Sequence, residues 1–521
     1  MQSLDRSALD NPDRPPAGRA SAGTRSGSKP PLRTRLQLAA LLAATVTLSA
    51  CAVVGPDYKT PGLATPSRWS GADASQQRRK PELSQWWRRL NDPVLNSLIE
   101  EAIAGNLDVA TAKAKIREAR ASRREAIGGL SPSLSGSGDA SRNRVGGTST
   151  SGAGSTSTSN AFSAGLDASW ELDLFGANHR NVEAASYGVD AADADLRATL
   201  VTLVGDVATA YVDARGYQAR IALARRTVAS RRETVALTRT KLQAGSASAV
   251  DAANAEAEAA STAADIPLYE QSFAQDVHQL SVLLGREPSA LSERLKRAAP
   301  IPMPGRTLPT GIPADILSSR PDIRTAERQL AQYTAKVGQA EAALYPSVSL
   351  TGSLSTSGTK IGDLAKSSSI SWSFGPTLTV PIFQGGQLRA AVEVAQAQRD
   401  QYFIALRSAV LTALRDVEDA LVNLATQRRN AQQLGQAVKG YQQAAKLSHT
   451  LYQVGSQSFL DVLTADRSLY SAQDSQLQSQ VAITKYYIAL AKALGGGWDG
   501  AIDSRKPEVV DTNTGPHLRH E

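Results

Sequence analysis

Few groups in this sequence can do chemistry, and their spacing excludes most reactions. His179, His278, His449, His517 and His520 form no HExxH or other metal spacing, and only the last two are close. No GxSxG, GxGxxG or P-loop run occurs, so nucleophilic hydrolysis and nucleotide binding leave no mark. Asp167, Glu171 and Asp173 share one short stretch but have no partner base at a defined spacing, and catalysis is set aside. That leaves a single thiol, Cys51. Arg33 and Arg35 precede LQLAALLAATVTLSA (36–50), an apolar run of secretory length that is too short to span a membrane as a helix. It closes on Leu48-Ser49-Ala50-Cys51. A structural cysteine could follow such a run, but the basic flank and small residues together read as a bacterial lipoprotein signal. Cleavage would fall before Cys51, with diacylglycerol on its thiol and an acyl chain on the new amino end. Ala52 stands where an Asp would signal inner-membrane retention.

Composition narrows the frame that must carry these groups. Only 5% of residues are aromatic and 41% hydrophobic, which suits long helices packed through small residues better than one thick core. The net charge of +8 invites a nucleic-acid reading. However, residues 1–50 hold seven basic and three acidic residues, half of that excess, and no basic block with interleaved aromatics follows. Nucleic acid is therefore not expected as a partner.

The chain is written twice. LQAGSASAVDAANAEAEAAS (242–261) aligns with YQVGSQSFLDVLTADRSLYS (452–471) at an offset of 210, which also pairs Leu284-Gly285 with Leu494-Gly495. LSPSLSGS (130–137) matches LYPSVSLT (344–351) at an offset of 214. The resulting divisions are a signal peptide (1–50), a lipid-anchored segment (51–91), a first repeat (92–298), a Pro-rich connector (299–319), a second repeat (320–498) and a polar tail (499–521). Each repeat reads helix, strand, loop, strand, very long helix, turn, helix. Asp92 as N-cap and Pro93 in the first turn predict a helix over 92–127. The spans 177–243 and 387–453 predict helices on the order of 100 Å long. Along them Leu200, Val207, Ala214, Ile221 and Val228, and Val410, Val417, Leu424 and Ala431, recur every seven residues, the beat of coiled-coil packing.

All four strand candidates have two unlike faces. In 162–174, Phe162, Leu166 and Trp170 alternate with Ser163, Asp167, Glu171 and Asp173. In 369–382, Trp372 and Phe374 alternate with Ser371 and Ser373, and Pro376 is an awkward member of the strand. The helices are committed to their own seams, so the apolar faces have no protein layer to cover. A bilayer needs none. Phe162, Leu166, Trp170, Trp372 and Phe374 are then expected to face lipid, and Asp167, Glu171, Asp173, Ser371 and Ser373 the lumen. Four strands cannot close a barrel, so copies must share one. Two copies give a filled eight-strand barrel, and three give twelve strands and a pore. The fold class is thus an α+β membrane protein. Its transmembrane β-barrel takes four strands per chain and is shared between copies, the trimer being preferred, and the internal two-fold sequence repeat supplies long coiled-coil-like helices that suit a sheet or hollow cylinder.

VGPDYKTP (54–61), QWWRRLNDPVLNSLI (85–99), WELDLFG (170–176), SRPDIRTAERQL (319–330) and VGSQSFLDVL (454–463) together resemble the TolC-like outer-membrane efflux factors. The likeness is to their lipoprotein (NodT-type) branch, which serves resistance-nodulation-division (RND) pumps. It implies a homotrimer whose shared trimeric transmembrane β-barrel, twelve-stranded in outer-membrane lipid, continues as a long periplasmic α-helical barrel. It likewise implies docking to a periplasmic adaptor (membrane fusion) protein and an inner-membrane RND-type pump. No cofactor is implied beyond the acyl chains on Cys51. It also implies a passive exit duct gated at the hairpin tips, Gly245–Asp251 and Gly455–Asp461. Asp461, beside Leu460, matches the family's acidic aperture position. Thr464 stands at a second position that is acidic in some members. Asp251 and Tyr452 match residues that clasp neighbouring hairpins, and Gln457 replaces the Arg of that clasp. A plain alternative is that Asp251 and Asp461 cap the returning helices. Two other readings remain at this stage. An exit duct for type I protein secretion would share the architecture, and a periplasmic coiled-coil scaffold would explain the heptads but not the strands.

Overall fold

Asp92 starts the first helix, and its carboxylate has three donors. Oδ1 accepts from the backbone N–H groups of Val94 (2.9 Å) and Leu95 (3.1 Å), and Oδ2 accepts from the Tyr211 hydroxyl (2.8 Å). The cap therefore also ties helix α1 (Pro93–Gly105) to the long helix carrying Tyr211. The computed structural model describes residues 53–71, 83–146, 156–305, 308–497, 500 and 502–504. The expected signal peptide, Cys51, the loop tip 147–155 and most of the tail lie outside the described residues.

After α1 come α2 (Leu107–Gly128), β1 (Ser133–Gly146), β2 (Thr156–Leu172), α3 (Ala177–Gln243), α4 (Ala249–Leu283) and α5 (Ser292–Leu295). The second half supplies α6 (Asp315–Ser319), α7 (Pro321–Ala342), β3 (Ser347–Gly358), β4 (Ile370–Thr379), α8 (Gln387–Gln453) and α9 (Phe459–Ala493). The single helix expected over 92–127 is two. At Asn106 the backbone is extended, the side-chain Oδ1 caps α2 by accepting from Asp108 and Val109, and Nδ2 donates to Leu283 O at 2.9 Å. The break lets α4 end against α1. Gly285, in the left-handed region (φ 69°), lies so close to the Gly105 carbonyl that a Cβ would sit 2.1 Å from it. The second repeat reproduces the contact, with Gly495 (φ 84°) against the Ser319 carbonyl.

The long helices α3 and α8 have 67 residues each, on the order of 100 Å at about 1.5 Å per residue. Leu200, Val207, Ala214, Ile221 and Val228 on α3 are buried, as are Val410, Val417 and Leu424 on α8. The expected seam is therefore the packed one. Gly216 brings α3 against α9, where a Cβ would meet Val481 Cγ2 at 2.5 Å. Where the heptad turns polar, Gln218 is still buried because it donates to Leu295 O (2.6 Å) and accepts from Arg215 (2.6 Å). Pro267 lies inside the continuous helix α4, whereas α9 has Leu477 at the corresponding place. Among the described residues no helix is long and apolar enough to cross a membrane. The core gathers where α1 and α2 meet the long helices. There Trp86 packs edge-on to Trp87 and Tyr487, with centroids 6.0 and 6.2 Å apart, and Leu95, Leu98 and Ile99 are fully buried.

Replacing Asp92 by Ala removes a cap and orphans the Tyr211 hydroxyl. The expected loss is about 1–2 kcal/mol, read as a lowered thermal unfolding midpoint. A variant Tyr211→Phe, which keeps the cap, loses less.

Candidate functional site

The four strands form one antiparallel meander in the order β1-β2-β3-β4. Its register keeps like with like. Gly136, Leu166, Leu354 and Trp372 lie in one row across the sheet, and Leu134, Ala168, Gly352 and Phe374 in another. Rows of the opposite parity are polar, for example Ser135, Asp167, Ser353 and Ser373, with Ser353 and Ser373 hydroxyls 2.8 Å apart. A slip of one residue would mix the faces. No protein layer covers the apolar side: Trp372 is 78% and Phe374 69% exposed. Leu166 and Trp170 are also exposed and Phe162 is half-buried, while Trp170 Nε1 donates to Leu130 O at 3.0 Å. Pro376 stays within β4, opposite Leu350, and β4 is an edge strand in the chain, where proline is tolerated.

Two boundaries differ from the sequence expectation. Strand β2 ends at Leu172, so Asp173 is not a strand residue. Its carboxylate is nearly buried and accepts from the His179 backbone N–H (2.8 Å), with His179 Nδ1 2.6 Å away, at the start of α3. An acceptor is needed there because the preceding Gly176 has no side chain to cap the helix. The expected strand 369–382 stops at Thr379, leaving Ile382 92% and Phe383 88% exposed.

At the far ends of the helices the two hairpin turns are alike. Ser248 and Asp251 form a capping box, as do Ser458 and Asp461. Asp251 Oδ2 accepts from Ser248 N at 3.0 Å, and Asp461 Oδ2 accepts from the Ser458 hydroxyl at 2.7 Å. Both aspartates therefore cap the returning helices. Leu460 and Asp461 are exposed on the first turn of α9. Asp251 and Tyr452 are not brought together within the chain. Tyr452 is buried beside Phe459 (centroids 5.8 Å), and its hydroxyl is 3.4 Å from Thr238 on α3. The Gln457 Oε1 is buried without a hydrogen-bond partner among the described residues. Thr464 returns its hydroxyl to the Leu460 carbonyl (2.8 Å).

What joins the two hairpins is a set of bonds that sequence reasoning missed. On α3, Asp206, Asp213 and Arg220 fall seven apart, beside the apolar seam. They meet Lys492 (3.3 Å), Lys485 (2.7 Å) and Asp474 (2.7 Å) on α9. Flanking charges at heptad spacing are a known coiled-coil signal and could have revealed them. Nearer the tips Glu258 on α4 bridges Arg231 (2.7 Å) and Arg467 (2.5 Å), Tyr470 donates to Asp265 (3.1 Å), and Lys241 Nζ donates to Tyr452 O (2.5 Å). Burial opposes ionisation of Glu258, but the two guanidinium groups hold it below the usual carboxylate range. Asp276 has only the weaker pull of the Lys485 ammonium. Burial, with Asp213 adding repulsion, pushes its carboxyl up to about 7, and Oδ2 has no hydrogen-bond partner. Among the described residues no three His, Cys, Asp or Glu side chains converge where a metal could sit.

The sequence matches the family described as "Outer membrane efflux protein" over residues 98–286 and 312–496. It is 37% identical over 456 residues to nodulation protein T of Rhizobium leguminosarum bv. trifolii, spanning 87% of this chain and 96% of that protein. It is 33% identical to the pyoverdine export outer membrane protein OpmQ of Pseudomonas aeruginosa, with 87% and 96% covered. Among solved structures, the outer-membrane channel OprN superposes with a TM-score of 0.79 at 33% identity, covering 86% of this chain and all of that one.

The two titrating groups in the helices carry opposite signs. The hydrogen bond to Asp466 (2.9 Å) holds the His449 imidazolium, raising its pKa above the ordinary value. This stabilisation is complete at low pH and lost as pH rises through the raised value. After division by the intrinsic, base-catalysed exchange rate, amide protection at the second hairpin tip should therefore fall from pH 6 to 8 in the native protein and stay level in His449→Gln. For Asp276 the raised carboxyl destabilises increasingly as pH climbs from the ordinary carboxylate range through about 7. Asp276→Asn should raise the melting temperature more at pH 8 than at pH 4.

Proposed function

The chain belongs to the outer membrane efflux protein family, and from that premise we propose how its copies, its lipid and its gate are arranged in the exit duct of a tripartite efflux system. Three copies share one twelve-stranded barrel in the outer membrane, and their helical hairpins continue it through the periplasm. Small molecules delivered by an inner-membrane RND-type pump leave through it, with a periplasmic adaptor joining the two. The duct itself is passive, and the pump supplies the energy.

The observation that carries this reading is the sheet register, which aligns the apolar side chains of β2, β3 and β4 with Leu134 of β1 on one face and leaves both edges open. Open edges are not tolerated in lipid, and four strands are too few to close. Phe162, Leu166, Trp170, Trp372 and Phe374 then meet acyl chains, and Asp167, Glu171, Ser371 and Ser373 line the lumen. From Phe162 to Leu172 the apolar face of β2 extends on the order of 33 Å at about 3.3 Å per residue. At a tilt of about 40–45° that is about 25 Å of height, the apolar band of an outer-membrane barrel.

The lipid anchor fits the same level. Val54 N donates to Phe175 O at 3.0 Å, just past the end of β2. Arg180 holds the next residues through the Val54 carbonyl (3.1 Å), the Gly55 carbonyl (3.0 Å) and the Asp57 carboxylate (2.9 Å). Cys51 is three residues before Val54, so it can reach no farther than about 11 Å from that point. Diacylglycerol on its thiol and an acyl chain on its amine would enter the inner leaflet beside the foot of the barrel.

The gate is assigned to the hairpin tips, where three copies bring Leu460 and Asp461 toward one axis. Asp251 and Gln457 shape the turns, and Tyr452 holds the second hairpin to the first. Widening the aperture requires the second hairpin to swing away from the first, against the Lys241–Tyr452 bond and the Arg231–Glu258–Arg467 bridge.

Purified protein in planar bilayers should give discrete ion-conducting steps, and a bilayer that stays silent refutes the duct. Asp461→Asn removes charge while leaving an acceptor for the cap, so it should lower the preference for cations. Unchanged conductance and selectivity would remove Asp461 from the gate. Cys51→Ser should abolish incorporation of radiolabelled palmitate, and labelling that persists places the lipid elsewhere.

A further inference from the structure

The open edges leave undetermined which residue of β4 meets which residue of β1 in the next copy. The internal repeat supplies the answer. Ser133 pairs with Ser169, and its counterpart Ser347, at the offset of 214, pairs with Thr379. Ser169 thus corresponds to Thr379, an offset of 210, the same as between the long helices. The one junction between repeats that lies inside the chain is β2 with β3, where Phe162 pairs with Gly358, Asp167 with Ser353 and Leu172 with Val348. Carrying that junction forward by one repeat turns β2 into β4 and β3 into β1 of the neighbour.

We infer that the seam between copies repeats the β2–β3 register, so that Trp372 lies opposite Arg144, Thr377 opposite Asp139 and Ile382 opposite Leu134 of the neighbouring copy. This rests on the shared-barrel reading above and adds the residue pairing to it. Three features of the chain agree with it. All three pairs match in parity, so the apolar face continues unbroken across the seam, which a shift by any odd number of residues would prevent. At the end distal from the helices, the same register sets Ile370, the first residue of β4, opposite Gly146, the last described residue of β1. At the other end, Ile382 is 92% exposed and Leu134 is 72% exposed, and the seam gives each a partner. The strand expected to reach residue 382 then does so only when the neighbour is present.

The register also gives work to two cations that the single chain leaves idle. Arg142 and Arg144 are exposed and stand on the apolar-face parity of β1, beyond the last apolar row. Across the seam they fall opposite Phe374 and Trp372, where a guanidinium can lie against an aromatic ring at the rim of the apolar band.

Paired cysteines in the full-length chain test the seam. Directly opposed strand positions lie within disulfide reach, whereas positions shifted by two residues do not. Asp139→Cys with Thr377→Cys, and independently Asn143→Cys with Ser373→Cys, should give covalent trimers on mild oxidation in isolated outer membranes. Each cross-link should be at least several-fold stronger than with the shifted pairs Ser137→Cys or Ser141→Cys with Thr377→Cys. Cys51 is retained throughout, and single-cysteine variants serve as blanks. If the native-size trimer forms but a shifted pair closes first, or no pair closes, the register is overturned and the duct stands. If the unmodified protein gives no trimer on native gels, the shared barrel fails and the seam fails with it.

Discussion

A backbone N–H or C=O in hydrocarbon has no water to bond, and most of this architecture follows from that constraint. Four strands in one chain pair three times and leave β1 and β4 with one bare edge each. In the membrane this is not a stable end state, and neighbouring copies remove it by closing the sheet. The requirement acts on the side chains as well. From Phe162 to Leu172 of β2 and across the facing parts of β3 and β4, apolar residues hold one parity and mostly hydroxylated or acidic residues the other, so pairing the backbone also sorts the side chains into two unlike faces.

Below the sheet the constraint changes. Water is available, and the difficulty is to hold helices on the order of 100 Å long side by side without a thick core. A narrow heptad seam does part of this. Close approaches such as Gly216 on Val481, and Gly285 and Gly495 on the carbonyls of Gly105 and Ser319, do another part. The α3–α9 charge pairs and the Arg231–Glu258–Arg467 bridge tie the two hairpins of one chain together. The Lys485 and Lys492 pairs are partly exposed and individually weak, whereas Arg231–Glu258 and Arg220–Asp474 are largely buried, so breaking one leaves an unpaired charge.

Much of this was legible in the sequence because it is periodic. Alternation exposed the strands, the seven-residue beat exposed the seam, and the two offsets exposed the repeat. What was not legible depends on partners far away in the chain. The break at Asn106 exists because Leu283 O and Gly285 arrive there from more than 170 residues on, and nothing local forbids a continuous helix. Asp173 continues the alternation of β2 perfectly well, yet the start of α3 claims its carboxylate. Asp251 and Asp461 were open to both a gate and a capping reading. The S-x-x-D spacing is a local signal, and the caps it predicts are formed. The charge rungs were visible as a heptad of Asp206, Asp213 and Arg220, but attention to apolar positions passed over them.

The two halves are not mechanical duplicates. Pro267 cannot donate to the carbonyl one turn before it, and its ring crowds that turn, so α4 is weakened partway along its length. In the second half Leu477, a good helix former with its amide N–H intact, leaves α9 unbroken. Under an equal sideways pull the first hairpin flexes at this joint while the second pivots as a rod. A cylinder whose walls look six-fold by backbone is therefore three-fold in compliance, with soft and stiff staves alternating around its circumference.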